Sequence, residues 1–542
     1  MDPNTTHRDL YDLPNGQPNA QSHIDLAAVY EKNEEKEEST LDGILIRLGQ
    51  FGPFQLVILL LICMAMLFSA IFSITYVFTA SSVVHSHNQI PQNASLGHCY
   101  VHNFDSEQKE RCSDNNFIYR DKEVTIANEF NIYCEDEWKL AMVGTIGNLG
   151  QFVGIPLGGF ISDRYGRRNA LAYGGFFSAL FGILRSFAPS YTSFIIFEFL
   201  DNLASSPMYS VCFILGIELV GPKRRVMACS VITIFYAIGE VALAVVAKYY
   251  QNWRTILRIV YIPAVVFITY IWIMPESIRW LLSQAKEDDA KQLLQRAARV
   301  NKRKLSESSL DKLILGNRVK LATATGGRFP IKESFKKLTW RIINCSYCWI
   351  IVVLVYYGIS LNAVLLDGDK YNNFIYIALI EIPGFFLPLA IMPRFGRRYS
   401  LCGTMLLSGL CCLITTFLPS DQFVWRLIFF LIGKLMITAA FQVLYFFTSE
   451  IFPTNVRNSL LSFCSMVGRV GSMLAPQTPL LAKVHVNAPA ILFAICAITS
   501  GILSIFFPET TDIILPTTVH DAHIIGAKVS KNKTEVNSSV NT

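Results

Sequence analysis

Four ionisable residues, Glu240, Glu381, Lys434 and Arg469, interrupt stretches that are otherwise apolar, and Glu198 with Asp201 interrupts another. A charge surrounded by hydrocarbon is costly. Each such group therefore either pairs with an opposite charge or meets an ion that the protein binds. The signs are mixed. Arginine offers a planar fork of donors to a carboxylate, and glutamate faces an ammonium group equally well. Lys434, beside Gly433, reads as the partner of an acidic neighbour, and Glu198 and Asp201 read as pairs that fix helix packing. This set suits the non-covalent handling of small ions rather than bond making. No P-loop, nucleophile elbow or HExxH motif occurs, so no enzyme activity is expected.

Stretches of this kind recur about twelve times. Hydrophobic residues make up 52% of the 542 and charged residues 16%, where a soluble domain carries about 25% charged residues. The apolar runs cover 54–79, 140–162, 170–187, 193–219, 226–249 and 256–274. A second set covers 340–361, 372–392, 401–418, 424–447, 460–481 and 488–507. Runs of roughly 18–25 residues cross a bilayer as helices, which satisfy their own backbone in lipid. The expected fold class is an all-α membrane protein with twelve transmembrane helices. The chain divides into an acidic segment 1–50, a six-helix bundle 51–275 that includes a loop at 80–138, a central loop 276–339, a second six-helix bundle 340–508 and a tail 509–542. Within the central loop, QAKEDDAKQLLQRAARVNKRKL spaces its apolar residues as a surface helix does.

No secretory signal precedes the first run, so the N-terminus is expected in the cytoplasm, and an even number of crossings returns the C-terminus there. Connections rich in Lys and Arg belong on that side. They carry Arg164, Arg167 and Arg168, then Lys223, Arg224 and Arg225, then Arg394, Arg397 and Arg398. Topology alone thus accounts for the net charge of +6, and no nucleic-acid partner is implied. Ten of the thirteen cysteines fall in apolar runs and read as packing residues. Cys99, Cys112 and Cys134 lie in the loop expected outside, where disulfides form; three is odd, so one thiol is left over or pairs elsewhere. Asn93 opens a glycosylation acceptor. His85, His87, His98 and His102 read as solvated loop residues, so no metal and no cofactor is expected.

The two halves echo one another. Asp163-Arg-Tyr-Gly-Arg-Arg follows the second run and Pro393-Arg-Phe-Gly-Arg-Arg the eighth. Glu218-Leu-Val-Gly-Pro follows the fourth and Glu450-Ile-Phe-Pro the tenth. Matching features at matching places indicate an internal repeat. Parallel six-span repeats are the arrangement of one large transporter fold, with the substrate near the midplane between halves.

The string Gly159-x3-Asp163-Arg164-x-Gly166-Arg167-Arg168 resembles the signature between spans two and three of the major facilitator superfamily. PESIRWLLSQ after span six resembles a signature shared by sugar porters and organic ion transporters. VYYGISLN in span seven, IEIPGFF in span eight, GKLMITAAFQVLYFFTSEIFPTNVRN through span ten and the cysteine-bearing loop after span one resemble the organic cation/carnitine/anion transporter family, solute carrier family 22. The resemblance spans about residues 45 to 510. It implies two pseudo-symmetric six-helix bundles, transport by alternating access, and residence as a multi-pass protein of the plasma membrane.

In that family the basic turn is a latch that holds the cytoplasmic side shut. The matching residues here are those of the first signature with Glu218 and Arg225, and Arg394, Arg397, Arg398, Glu450 and Arg457 in the second half. Carboxylates favour helix N-termini in any case. Pro393 takes the aspartate's place in the second half, so that half-latch is expected to be incomplete.

The resemblance also sets Glu381 and Arg469 on helices that line the central site. Relatives favouring simple organic cations often carry Asp at the position of Arg469, whereas anion and carnitine transporters carry Arg. Tyr209, Tyr236, Tyr356, Tyr357, Phe441, Tyr445 and Phe446 resemble the aromatic positions around bound organic cations, and aromatic faces attract ammonium groups. Gln442 is placed to orient a substrate, and Glu240 or Glu381 to face an ammonium. Both signs together suit an organic cation, amine or zwitterion, with an organic anion as the alternative. A sugar is less suited, since span seven lacks the paired Gln expected of a sugar porter. A sensor that binds without moving solute is the reading from another class. The coupling ion, Na+ or H+, is left open.

Overall fold

The computed structural model describes residues 40–511 apart from 50, 82–84, 88–93, 97–99, 104–108, 112–116, 120–122, 133, 222–223, 325–337, 367, 420–421 and 454–455. Each apolar run closes into a helix. In the first half they are Pro53–Ile74 continued by Tyr76–Thr79, Trp138–Tyr165, Arg167–Arg185, Tyr191–Leu219, Arg225–Tyr250 and Trp253–Ala264. The last of these runs on through a tighter 3-10 turn, Val265–Thr269, into Tyr270–Ile273. In the second half they are Thr339–Asn362, Lys370–Phe417, Phe423–Ile451, Arg457–Leu474 and Ala488–Ser504. Lys370–Phe417 is two spans in one, broken at Gly396 by a backbone φ of 79°. The spans are numbered 1 to 12 in this order.

Gly396 has its counterpart in Gly166, with φ 104°, between spans 2 and 3. Side chains rarely adopt that backbone region, so a glycine marks each reversal. Seven of the described helices are long and apolar enough to cross a membrane, the merged pair counting once. Span 12, Ala488–Ser504, is apolar but shorter, and other spans turn polar residues inward. Span 4, for example, buries Glu198, Asp201, Asn202 and Ser205.

The loop after span 1 holds short strands: His85–His87 pairs antiparallel with Phe117–Tyr119, and Ala94–Leu96, Tyr100–Asn103 and Lys109–Arg111 form a three-stranded antiparallel sheet. Asn93, Cys99 and Cys112 lie outside the described residues, as does the side chain of Cys134. The central loop holds two helices rather than one, Glu287–Val300 and Glu307–Ala324.

The chain separates into two compact units. The smaller comprises described residues up to Leu56, Val220–Arg224 and Leu281–Gly326. It is joined through Asn301, whose side chain donates to the Leu48 carbonyl at 2.9 Å and to Gln55 at 2.8 Å and accepts from the Phe54 amide at 3.0 Å. The larger unit contains the spans. Within it, spans 5 and 8 and spans 2 and 11 pack across the halves. Several polar contacts between halves lie at the end opposite the basic turns. Thr145 donates to the Met473 carbonyl at 3.0 Å, Gln477 donates to Thr145 at 2.8 Å, and Lys248 meets Asn372 at 2.8 Å and Asp369 at 3.2 Å. Lys370 pairs there with Glu123.

Candidate functional site

Among the described residues, three bases on the spans, Arg185, Lys434 and Arg469, are distinguished by their partners. Arg185, on span 3, is fully buried and pairs with Glu198 and, at 3.4 Å, with Asp201 on span 4. Asp201 also accepts from Ser178 and, at 2.5 Å, from Tyr261. Asn202 donates to Glu198 at 2.9 Å. Each carboxylate is thus held by donors, which is what keeps a buried charge tolerable. The pairing expected of Glu198 and Asp201 is met, but by a residue the sequence reading passed over. Arg185 sits near the end of its apolar run, where a base is easily taken for an interfacial one.

Lys434, on span 10, is the second base. Its Nζ lies 2.7 Å from Glu381 Oε1 on span 8, with both side chains fully buried. It also donates to Ser360 at 2.7 Å and to the Tyr356 carbonyl at 3.2 Å, and it stands 3.4 Å from the centre of the Tyr356 ring. Tyr356, on span 7, donates its hydroxyl to Glu381 Oε2 at 2.7 Å. Glu240, on span 5 of the other half, is buried and lies within hydrogen-bonding reach of Glu381. Glu240, Tyr356 and Glu381 are therefore brought together, but Glu381 already has partners and neither carboxylate is exposed.

Arg469, on span 11, is the third base and differs from both. It is half-buried, and its recorded side-chain partner is a neutral amide, Gln151 Oε1 on span 2 at 3.3 Å. Among the described residues no carboxylate lies within ion-pair distance of it. Gln151 donates onward to Asn202 at 3.0 Å. A chain of hydrogen bonds thus links Arg469 across the halves to the Glu198–Arg185 pair.

Aromatic rings surround these groups. Tyr209 meets Tyr236 edge-on at 5.7 Å and lies within electrostatic reach of Tyr357, Tyr445, Arg469 and Glu381. Tyr356 contacts Tyr357 at 5.2 Å and Phe441 at 5.7 Å, and Trp349 bridges Phe441 and Tyr445. Tyr236 and Tyr356 are buried, Tyr209, Phe441 and Gln442 half-buried, and Tyr445 and Phe446 exposed. Trp349 carries no charge and lies in the interior of an apolar run, so nothing in the sequence set it apart from packing aromatics.

The two basic turns are built alike. At the first, Glu276 accepts from the amides of Arg167 at 2.8 Å and Arg168 at 3.2 Å, capping span 3. A Cβ on Gly166 would collide with that carboxylate. Arg167 pairs with Asp163 at 3.0 Å and reaches Glu218 at 3.9 Å, while Ser277 donates to Glu218. At the second, Glu509 accepts from the amides of Arg397 at 2.9 Å and Arg398 at 3.2 Å, and Thr510 donates to Glu450 at 2.6 Å. Pro393 leaves no aspartate for Arg397, which closes instead on Glu450 at 3.1 Å. Pro275-Glu276-Ser277 and Pro508-Glu509-Thr510 are thus one repeated element, and Glu509 belongs with the second turn rather than with the tail. Gly159 faces open space, Arg164 and Arg394 are exposed, and Arg225 and Arg457 open spans 5 and 11.

Two like halves of six helices, meeting around Arg469 with its amide partner and an aromatic lining, define a multi-pass membrane transporter of the major facilitator fold. A structure of the xylose transporter XylE from E. coli, in a partially occluded inward-open conformation, superposes with a TM-score of 0.61 over 85% of this chain and 99% of that one, at 15% identity. Its inward-open form superposes equally well over 87% and 100%. The chain belongs to the sugar (and other) transporter family, whose profile matches residues 94–516. It is 30% identical to an organic cation transporter protein of Drosophila melanogaster, over 91% of this chain and 96% of that one. It is 28% identical to solute carrier family 22 member 3 of Rattus norvegicus, over 92% and 99%. The family is one of transporters, not of enzymes.

Proposed function

We propose that this transporter moves small organic ions that carry a carboxylate together with an amine or quaternary ammonium, by alternating access. The observation that supports this most is Arg469. Arg185 and Lys434 are neutralised by carboxylates, whereas the hydrogen-bond partner of Arg469 among the described residues is an amide. A guanidinium in such surroundings favours a bidentate anion brought by the substrate. Tyr209, Phe441 and Tyr445 supply faces for the ammonium, Gln442 orients the solute, and Tyr236 backs Tyr209. Glu240, Glu381 and Tyr356 set the potential on the cationic side. The basic turns act as the conformational latch. The protein resides in the plasma membrane with both termini cytoplasmic, which fits the grouping of basic turns at one end.

The test is uptake into vesicles holding the purified protein, with betaines, amino-acid derivatives, tetraalkylammonium ions and plain carboxylates as solutes, repeated with Arg469→Asp. Zwitterion uptake is expected to fall at least tenfold, the factor that about 1.4 kcal/mol of lost carboxylate contact implies, while bare cations are spared. Equal loss of every solute would mark Arg469 as structural. Uptake of carboxylates alone would favour an organic anion transporter, and binding without accumulation a sensor.

A further inference from the structure

The Glu240–Glu381 contact differs from every other buried acid pairing described above. Ionised carboxylates only accept hydrogen bonds. Glu198 and Asp201 meet that rule, since arginine, asparagine, serine and tyrosine donors face them. Glu240 does not. Its Oε2 is buried without a donor, on a residue 2% exposed, and the group within reach is the carboxylate of Glu381. Two acceptors cannot satisfy one another unless one of them carries a hydrogen.

Charge leads to the same answer. The groups facing the pair are Lys434 from span 10, Tyr356 and Tyr357 from span 7, Tyr209 from span 4, and Tyr236 from span 5 itself. Span 1 packs on the neighbouring Gly239 with backbone and an alanine methyl. Lys434 is the one base beside the pair among the described residues, and two ionised carboxylates next to it would leave one uncompensated negative charge away from water. Two carboxylates within hydrogen-bonding reach and away from water do not both ionise; one keeps its proton, as in paired-aspartate sites.

We propose that a proton bridges Glu240 and Glu381, and that it ties span 5 of one half to span 8 of the other in the conformation seen here. The bond forms when one carboxylate takes up H+ and donates it to the other, leaving the set Glu–H, Glu⁻ and Lys⁺ neutral. Loss of the proton puts two facing negative charges between the halves. The end opposite the basic turns, where spans 5 and 8 pack, is then driven apart. The proton is thus a ligand of one transport conformation, and its occupancy couples transport to pH. This last step rests on the transporter reading above; the proton itself does not.

The experiment therefore has two arms, both on the full chain in lipid vesicles at fixed sodium. In the first, difference infrared spectra between mildly acidic and mildly alkaline pH follow the C=O stretch of protonated carboxyl groups. A titrating band is expected in the wild type and is expected to vanish in Glu240→Gln and persist in Glu240→Asp. Absence of any titrating band in the wild type overturns the proposal whatever the variants do, and so does a band that Glu240→Gln leaves untouched. Removal of the band by sodium at constant pH would assign the site to a metal cation and would equally overturn it. In the second arm the probe is glycine betaine, whose charges do not change over this range. Uptake is expected to fall by up to about tenfold per pH unit on the alkaline side, the slope for one proton, and to be flat in Glu240→Gln. A titrating band with uptake as pH-sensitive in Glu240→Gln as in wild type would overturn the coupling. If glycine betaine is not carried at all, the substrate reading fails while the infrared arm still decides the proton.

Discussion

Lys434 Nζ and Glu381 Oε1 lie 2.7 Å apart with both side chains shut off from solvent. A buried pair contributes little net stability as a pair, but removing one partner leaves an uncompensated charge and costs about 3–5 kcal/mol. Lys434→Met is therefore expected to lower the thermal unfolding midpoint of the purified protein sharply. Adding Glu381→Gln to it should restore most of the loss, because the orphaned charge goes with it. A double variant no more stable than Lys434→Met would show that the lysine is held for another reason.

The two basic turns are expected to respond to acid differently. Burial raises Glu276 above the ordinary carboxylate value of 4.5, although the Ser277, Arg168 and Arg167 amides pull against it. Burial also raises Glu509, but the Thr511 hydroxyl and the amides of Arg397, Thr510 and Thr511 outweigh it, and the net direction is downward. A carboxyl with a lowered folded value stabilises above its unfolded value, and that contribution disappears as pH falls through the folded one. A raised carboxyl does the reverse: its stabilising protonation is lost as pH rises. Glu509→Gln should thus cost about 0.5 kcal/mol near neutrality, discounted for solvent screening, and nothing in strong acid. Protection of the Arg397 and Arg398 amides, corrected for intrinsic exchange, should weaken as pH falls through the Glu509 value, whereas that of the Arg167 and Arg168 amides should weaken as pH rises through the Glu276 value. Weakening in the same direction at both turns would contradict the difference in the two capping glutamates.

Much of this arrangement was legible before any coordinates. Each span lies within a few residues of its apolar run, because exclusion from water acts on run length alone. Lys434 declared itself as half of a pair, since an amine in the middle of span 10 has few other options. Its partner did not, because Glu381 lies 53 positions away in the sequence and only helix packing brings them together. Glu509 was hidden for another reason. Its role depends on Pro508-Glu509-Thr510 repeating Pro275-Glu276-Ser277, a match too short to stand out until both were seen capping a glycine-broken turn. Two acceptors in contact, as at Glu240, are visible only in three dimensions.

Asn301 carries three of the hydrogen bonds within the smaller unit, to Leu48, Phe54 and Gln55. No other asparagine atom is left over, so the residue acts as a clamp rather than a filler. Asn301→Ala removes all three and leaves the Phe54 amide without its acceptor. The loss is expected to be about 1–3 kcal/mol of local stability, seen as faster exchange across Leu41–Arg47 with the span helices unchanged. Uniform acceleration throughout the chain would mean that the small unit unfolds only together with the rest.

Gly144 offers a way to hold the halves apart. It lies on span 2 at the end opposite the basic turns, and a Cβ there would come within 2.5 Å of Tyr76 and 2.7 Å of Pro476. Pro476 belongs to the Ala475–Gln477 turn that continues span 11 in the other half. A side chain at this place must push span 2 from span 11, and strain of this kind costs about 1–3 kcal/mol. Gly144→Val is therefore expected to disfavour closure at that end and slow turnover by roughly 5- to 150-fold, the population change such a cost implies. A cysteine introduced at Thr145, whose hydroxyl bonds to the Met473 carbonyl across the same seam, should react faster with a water-soluble thiol reagent in the Gly144→Val background. Unchanged labelling together with slow uptake would mean that the valine blocks the solute path rather than the closing of the seam.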